Sequence, residues 1–329
     1  MDKTMTHVLC SISTCNRYRT TLSHALASVV NQTRPPDQLI VFDDSNPAED
    51  LRQDPVYSNL FKIMSLKGIA WEWIWTEKRG QHHNHQTANE RAREWVWRVD
   101  DDNIAEPTVL ETLLKYVSPE VGGVATSCLT PSWDTSARTA TGKIEYVNQE
   151  PNIQWGRVTE VKSVEHLHCS FLYRAGVADY NLGLSRVAHR EETLFSWQLH
   201  QRGYQLLVVP GPITWHLKMN EGGIRSSNDQ TLYERDNQIF SNFLKYRDHT
   251  IVVLDCGMGD HVVFSHVLPK IRNPLVFSCY PDLVPGESIA RATDLFGDIS
   301  GWNIYRKMNQ WQWKHSLEKA FEKLYGVNS

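Results

Sequence analysis

No CxxC pair occurs in this sequence. Its six cysteines, Cys10, Cys15, Cys128, Cys169, Cys256 and Cys279, stand singly along 329 residues. That spacing excludes a CxxC zinc site and a dense disulfide frame, and points to reduced intracellular thiols. No apolar run reaches the ~20 residues of a membrane span, and the N-terminus lacks the apolar core of a secretory signal, so a soluble cytoplasmic protein is expected. With a net charge of −4 the chain has no strong basic field to draw nucleic acid non-specifically. There is no internal repeat and no low-complexity segment. What is present is an apolar fraction of 41%, enough for a real core. The length allows one large domain and a smaller one. Twelve tryptophans supply faces that pack in cores and also stack on sugars and bases.

The hydrophobic pattern predicts a first strand over 7–14. Leu22, Ala25, Leu26, Val29 and Val30 then repeat at helical spacing until Pro35-Pro36 stops them. A second strand, 38–42, ends at Asp43-Asp44-Ser45-Asn46. Short links make this a βαβ unit with parallel strands. Trp71, Trp73 and Trp75 alternate as a third strand, and the polar stretch 80–93 includes a helix. The apolar run Trp95-Val96-Trp97-Arg98-Val99 reads as a buried strand ending at Asp100-Asp101-Asp102. Farther on, strands are expected over 121–128, 143–147, 158–167, 204–209 and 213–217, with Pro210-Gly211-Pro212 closing the fourth, and a helix over 189–202. Polar residues 219–236, with Gly222-Gly223, read as a mobile loop. A new start near 249 brings a strand, a Gly257-x-Gly259-Asp260 turn able to hold an anion, a helix over 262–271, a strand over 275–279 and an amphipathic tail over 304–325. The predicted organisation is α/β, with a domain over 1–245 and a small C-terminal α/β module over 246–329.

Three carboxylates at a strand's end repel one another unless a cation sits among them. A divalent ion on a diphosphate suits such hard oxygen ligands; a polar turn is the plainer alternative. In open α/β sheets ligands bind beyond the carboxyl ends of the strands, and both acidic clusters fall at that edge. Glu191-Glu192, opening a helix, suits the positive end of a helix dipole. His166 and His168 alternate and so share a face.

Several motifs fall in an order that resembles the family-two, GT-A fold glycosyltransferases across residues 5–220. They are Ser13-Thr14-Cys15-Asn16-Arg17, Phe42-Asp43-Asp44-Ser45, Asp100-Asp101-Asp102, Arg190-Glu191-Glu192-Thr193-Leu194, Gly203-Tyr204, Pro210 and Trp215-His216. The resemblance implies a Rossmann-like nucleotide-sugar-binding domain with a UDP-linked donor. Asp43 would accept the uracil imide N–H, with Asp44 as the alternative, and Thr14 and Arg17 would lie near the base and diphosphate. Asp102 would hold Mn²⁺ or Mg²⁺, with Asp100 reaching the ribose or the metal through water and His216 as a further ligand. Glu191-Glu192 matches an acidic pair whose second member is the general base; here it is Glu192 where the family usually has aspartate. Lys218 and Arg225 would sit on a loop closing over the donor. The expected reaction is metal-dependent, inverting hexosyl transfer to a glycan, a lipid-linked glycan or a hydroxymethylated DNA base. Two other classes stay open: a non-catalytic protein that binds sugar nucleotides or glycans, and a nucleotidyltransferase. The C-terminal module would support the acceptor side or an oligomer contact.

Overall fold

A computed structural model of the chain describes residues 6–131, 143–144, 153–219, 221–223, 229–246, 250–254 and 274–278. It separates into two compact units, Met1–Asn237 and Gln238–Ser329.

The first unit is built on a nine-stranded sheet between helical layers. Strands β1 (Val8–Thr14), β2 (Gln38–Asp43), β3 (Ala70–Trp75) and β4 (Trp95–Asp100) run parallel in the order β3-β2-β1-β4. The sheet continues through β8 (Phe171–Arg174), β6 (Val121–Leu129) and β9 (Gln205–His216) to β5 (Asn103–Ala105), and β7 (Lys162–Val164) joins β9. Along β1, alternate residues enter opposite layers. Val8, Cys10 and Ile12 meet α1 (Leu22–Val30), α2 (Pro55–Leu66) and α4 (Val109–Leu114), whereas Leu9 meets the layer of α3 (Gln81–Arg91) and α5 (Glu191–Gln201). Trp97, Tyr173, Phe171 and Phe195 are all fully buried, each burial stabilising by roughly 1.5–3 kcal/mol.

The parallel register sets the site. Thr14 is opposite Asp43 and Ser13 is opposite Asp100, so the first strand's end and both acidic clusters share one edge.

The structure adds elements that the periodicity did not show, namely α2, α4, β5 and β8. Asp54 caps α2 by accepting from the N–H groups of Val56 and Tyr57, with Pro55 in the first turn, a strong local start signal. Three readings are corrected. Residues 230–236 are not loop: they open α6 (Gln230–Tyr246). Asp229 accepts from the Thr231 N–H, and Asp236 is buried, taking the N–H groups of Ser185 and His189. The strands expected over 204–209 and 213–217 are one strand, β9, whose pairing to β6 shifts register between Thr126 and Cys128; a bulge accommodates the Pro210-Gly211-Pro212 segment, whose prolines have no N–H to give. Within 158–167 only Lys162–Val164 pairs, so His166 and His168 lie beyond the strand, although their rings remain 6.2 Å apart.

In the second unit β10 (Thr250–Leu254) and β11 (Pro274–Ser278) pair in parallel, as expected for strands separated by a crossover. The Gly257-x-Gly259-Asp260 turn, the helix over 262–271 and the tail over 304–325 lie outside the described residues, as does most of the 143–147 strand.

Candidate active site

A cavity of about 600 Å³ opens at the carboxyl edge of the parallel strands. Six non-glycine residues adopt left-handed backbone conformations among the described residues: Asn16, Lys78, Cys169, Ala188, Arg190 and Lys218. All six line this cavity. Such conformations cost of order 1 kcal/mol or more each and gather where function demands them.

Two acids, an arginine and a histidine meet on one side. Pairing of β5 with β9 sets Asn103 opposite His216, and the Leu217 N–H donates to the Asp102 carbonyl at 2.9 Å. His216 Nε2 thereby lies 3.4 Å from Asp102 Oδ2. Arg17 reaches in from the loop after β1, its Nη1 3.1 Å from Asp102 Oδ2 and its Nε 3.4 Å from Asp101 Oδ1. Thr14 donates to Asp101 Oδ2 at 2.8 Å. Burial pushes the Asp101 carboxyl up to about 7 against the pull of Arg17. Gly222 and Gly223 lie over this arginine at positive φ. Their absent Cβ atoms would fall 2.6 Å from the Asn16 carbonyl oxygen and 2.7 Å from Arg17 Nη2. Only glycine lets the backbone approach so closely.

At the end of β2, Asp43 is engaged by the fold. It accepts from Tyr18 OH, from Trp73 Nε1 at 3.2 Å and from the Ser45 N–H at 2.9 Å, and it is not part of the cavity wall. Asp44 is part of that wall; it takes the Gly80 N–H at 3.1 Å and the Thr76 hydroxyl. Of these two acids Asp44, not Asp43, lines the cavity.

On the opposite side, the two glutamates of α5 part company. Glu191 is fully buried, 2.6 Å from Arg98 Nη1 and hydrogen-bonded by Gln81 at 2.9 Å. Arg98 Nη2 also meets Asp100 Oδ1 at 3.0 Å, so one buried guanidinium joins the acidic triplet to the acidic pair. Burial raises the Glu191 carboxyl, with Arg98 opposing. Glu192 instead lines the cavity, with Oε1 2.7 Å from His168 Nδ1. Burial pushes Glu192 up; against it a protonated His168, with Arg98 and a backbone N–H, draws the carboxyl below its usual range. Lys218 lines the cavity; Arg225 lies outside the described residues.

Sequence reasoning did not identify Arg98 or Trp155. Arg98 carried a signal, a lone charge inside an otherwise apolar strand, and a buried charge requires partners. Trp155 carried none: its ring stands 5.4 Å from that of His168 and 5.5 Å from that of His216, a position set by distant pairings.

A metal fits this donor set. Among the described residues no three His, Cys, Asp or Glu side chains converge as a metal site. Asp102 and His216 offer one carboxylate oxygen and one imidazole nitrogen side by side, donors of kinds that divalent ions accept. Mg²⁺ and its kin usually take one or two carboxylates and complete their shell with phosphate oxygens and water.

A parallel sheet whose carboxyl edge carries such a cavity, continued by antiparallel strands, is the GT-A architecture of the nucleotide-sugar glycosyltransferases. The chain belongs to glycosyl transferase family 2, whose sequence model matches residues 10–180, just over half of its length. It is 35% identical over 115 residues to galactofuranosyltransferase GlfT1 of Mycolicibacterium smegmatis, a match spanning 34% of this chain and 35% of that protein. The fold is similar to GalNAc-T7, solved with UDP, GalNAc and Mn²⁺ (TM-score 0.53, 14% identity, 75% of this chain and 50% of that one). It is also similar to residues 1–349 of S. aureus TarS in complex with UDP-GlcNAc (TM-score 0.50, 12% identity, 97% and 81%). The chain thus spans about a third of the curated relative's length and half of the GalNAc-T7 chain. No helix among the described residues is long and apolar enough to cross a membrane.

Proposed function

We propose that this chain transfers a sugar from a UDP-linked donor to an acceptor hydroxyl with inversion at the anomeric carbon. The observation that carries the reading is that Asp44, Asp102, His216 and Glu192, from four separate stretches of sequence, line one cavity at the strand ends. Asp44 receives the nucleobase N–H, an ionised carboxylate being a good acceptor for it. Arg17 is the cation nearest the diphosphate. Asp102 and His216 hold the divalent ion, which when bound supplies Lewis-acid neutralisation of charge on the departing nucleoside diphosphate. Glu192 removes the hydroxyl proton as the acceptor oxygen attacks the anomeric carbon, and the electron pair of the breaking bond leaves with the diphosphate. One displacement on one face requires no covalent intermediate. Arg98 and Glu191 hold the two halves in register.

The acceptor class we propose is a glycan hydroxyl or the hydroxymethyl group of a modified DNA base. The catalytic body would lie within the larger unit. Free Cys10, Cys15, Cys128 and Cys169 support a reducing, cytoplasmic setting.

The test is product analysis with labelled UDP-sugars and Mn²⁺, offering glycans and hydroxymethylated DNA in parallel. Release of UDP with label on an acceptor, lost in Glu192→Gln, is the expected result. Pyrophosphate as product would assign nucleotidyl transfer instead. Donor binding by calorimetry with no turnover on any acceptor would make the chain a binding protein.

A further inference from the structure

Glu192 has one methylene more than the aspartate usual at its position in the family, and so one more rotatable bond. An unrestrained glutamate at a cavity wall would spread its carboxylate over several rotamers. Here a partner stands at contact distance. His168 Nδ1 lies 2.7 Å from Oε1, and the histidine's own backbone is fixed at both ends. Its N–H donates to Gln154 Oε1 at 2.9 Å and its carbonyl accepts from Gln154 Nε2 at 2.8 Å. Gln154 is fully buried, and the Trp155 ring beside it closes the other side of the imidazole.

We propose that His168 is the positioning residue of the general base: its neutral imidazole donates Nδ1–H to Glu192 Oε1 and leaves Oε2 to take the acceptor's proton. The inference rests on Glu192 being that base. In the transfer step the acceptor O–H bond breaks toward Oε2, the acceptor oxygen bonds to the anomeric carbon, and the bond from that carbon to the diphosphate oxygen breaks with its electron pair. The imidazole keeps its proton throughout. It also works as a pH gate. Once His168 gains a second proton, the imidazolium stabilises the glutamate anion and makes it a poorer base.

The surrounding groups leave that gate to histidine. Arg98 stays charged between Glu191 and Asp100. The Cys169 thiol is pushed well up by its contact with Cys128 and by burial. His85, on α3, is pushed well down by burial. The His166 ring stands 6.2 Å from that of His168, so His166→Asn is the control.

Two measurements test this on the full chain. The first is a histidine NMR titration of the protein alone, with the His168 resonance assigned by its loss in His168→Asn. Glu192→Gln should lower the His168 pKa by about one unit or more, since an opposite charge at contact distance favours the charged form. No change would overturn the pairing. The second is UDP release from UDP-GlcNAc with Mn²⁺ and water as acceptor. His168→Ala should lower kcat about tenfold to a hundredfold, as expected for a misplaced group, with donor KM little changed. His168→Asn, which keeps an N–H donor, should restore much of kcat while losing the acid limb near the histidine range. An acid limb that persists in His168→Asn and vanishes in His166→Asn would overturn the assignment. If Glu192→Gln releases UDP undiminished, the base reading itself fails. If that variant is inactive while both His168 variants match the parent, only the positioning role fails. The titration decides the pairing whether or not UDP-GlcNAc is turned over.

Discussion

Two buried arginines serve the same acidic edge, and they differ in what carries them. Arg98 sits in the middle of β4, with both neighbouring strands in place, and is fixed between Glu191 and Asp100. Arg17 extends from a loop beneath Gly222-Gly223, between Asp101 and Asp102, and also reaches the carbonyls of Met219 and Gly222 at 3.4 Å. Both offset clustered carboxylates. Arg98 is almost fully buried and held by two carboxylates from a central strand, which makes it part of the scaffold. Arg17 stands where a divalent ion or a diphosphate would supply or demand the same charge, which makes it exchangeable. A rigid element holds the geometry, and under the proposed function a loop carries the charge that answers the diphosphate.

The largest effect should separate the two directly. Arg98→Met strands Glu191 and Asp100 without their cation and is expected to cost about 3–5 kcal/mol in urea unfolding. Mn²⁺ with UDP should leave that loss in place. In Arg17→Met the same additions should recover most of the lost thermal stability, because ligand binding to the native state stabilises it by mass action. Equal recovery in both variants would erase the distinction. Next in size, Asp102→Ala should reduce UDP release about a thousandfold, the several kcal/mol ascribed to metal charge stabilisation, while the urea midpoint moves little.

A smaller effect sits in the scaffold. His82 is fully buried, and burial holds its pKa down at about 3. Its folded pKa lies below its unfolded one, near 6.5. The stability it permits is therefore complete above about pH 6.5 and is lost progressively as pH falls toward 3. Between pH 6.5 and 5 this one group should remove about 2 kcal/mol, and His82→Leu should flatten that part of the urea profile. A slope unaltered by the substitution would locate the acid sensitivity elsewhere. Smallest of all, Gly223→Ala places a Cβ 2.7 Å from Arg17 Nη2 at φ +63°. The strain of about 1 kcal/mol should weaken UDP binding roughly fivefold in calorimetry. Unchanged affinity would show that this loop does not bear on the donor.

Much of the larger unit was legible in sequence because its signals are local. The α1 spacing from Leu22 to Val30 and the tryptophan alternation of β3 each follow from which residues share a face. The acidic ends of β2 and β4 were legible too, since the βαβ rule brings parallel strand ends to one edge. Asp43 against Asp44 was not. Adjacent residues point opposite ways at a strand's end, and the partners that engage Asp43, Tyr18 and Trp73, come from other elements. Glu191 and Glu192 diverge for the same reason: on a helix, consecutive side chains are about 100° apart, so one meets Arg98 and the other the cavity. The run from 219 to 236 misled because few apolar anchors mark α6 before Ile239, while its buried acid, Asp236, looks like any polar residue.

The sequence by itself determined the kinds of groups available: carboxylates after β2 and β4, an acidic pair opening α5, a histidine ending β9, and a core large enough to hold them. Those are covalent facts, and periodicity with chain direction brings several of them to a common edge. Which of two adjacent acids faces the cavity, which cation each one meets, and that His168 stands against Glu192 were decided only in three dimensions. A contact across more than twenty residues of chain depends on strand register and packing, and a one-residue shift in either would turn each of these side chains to the other face.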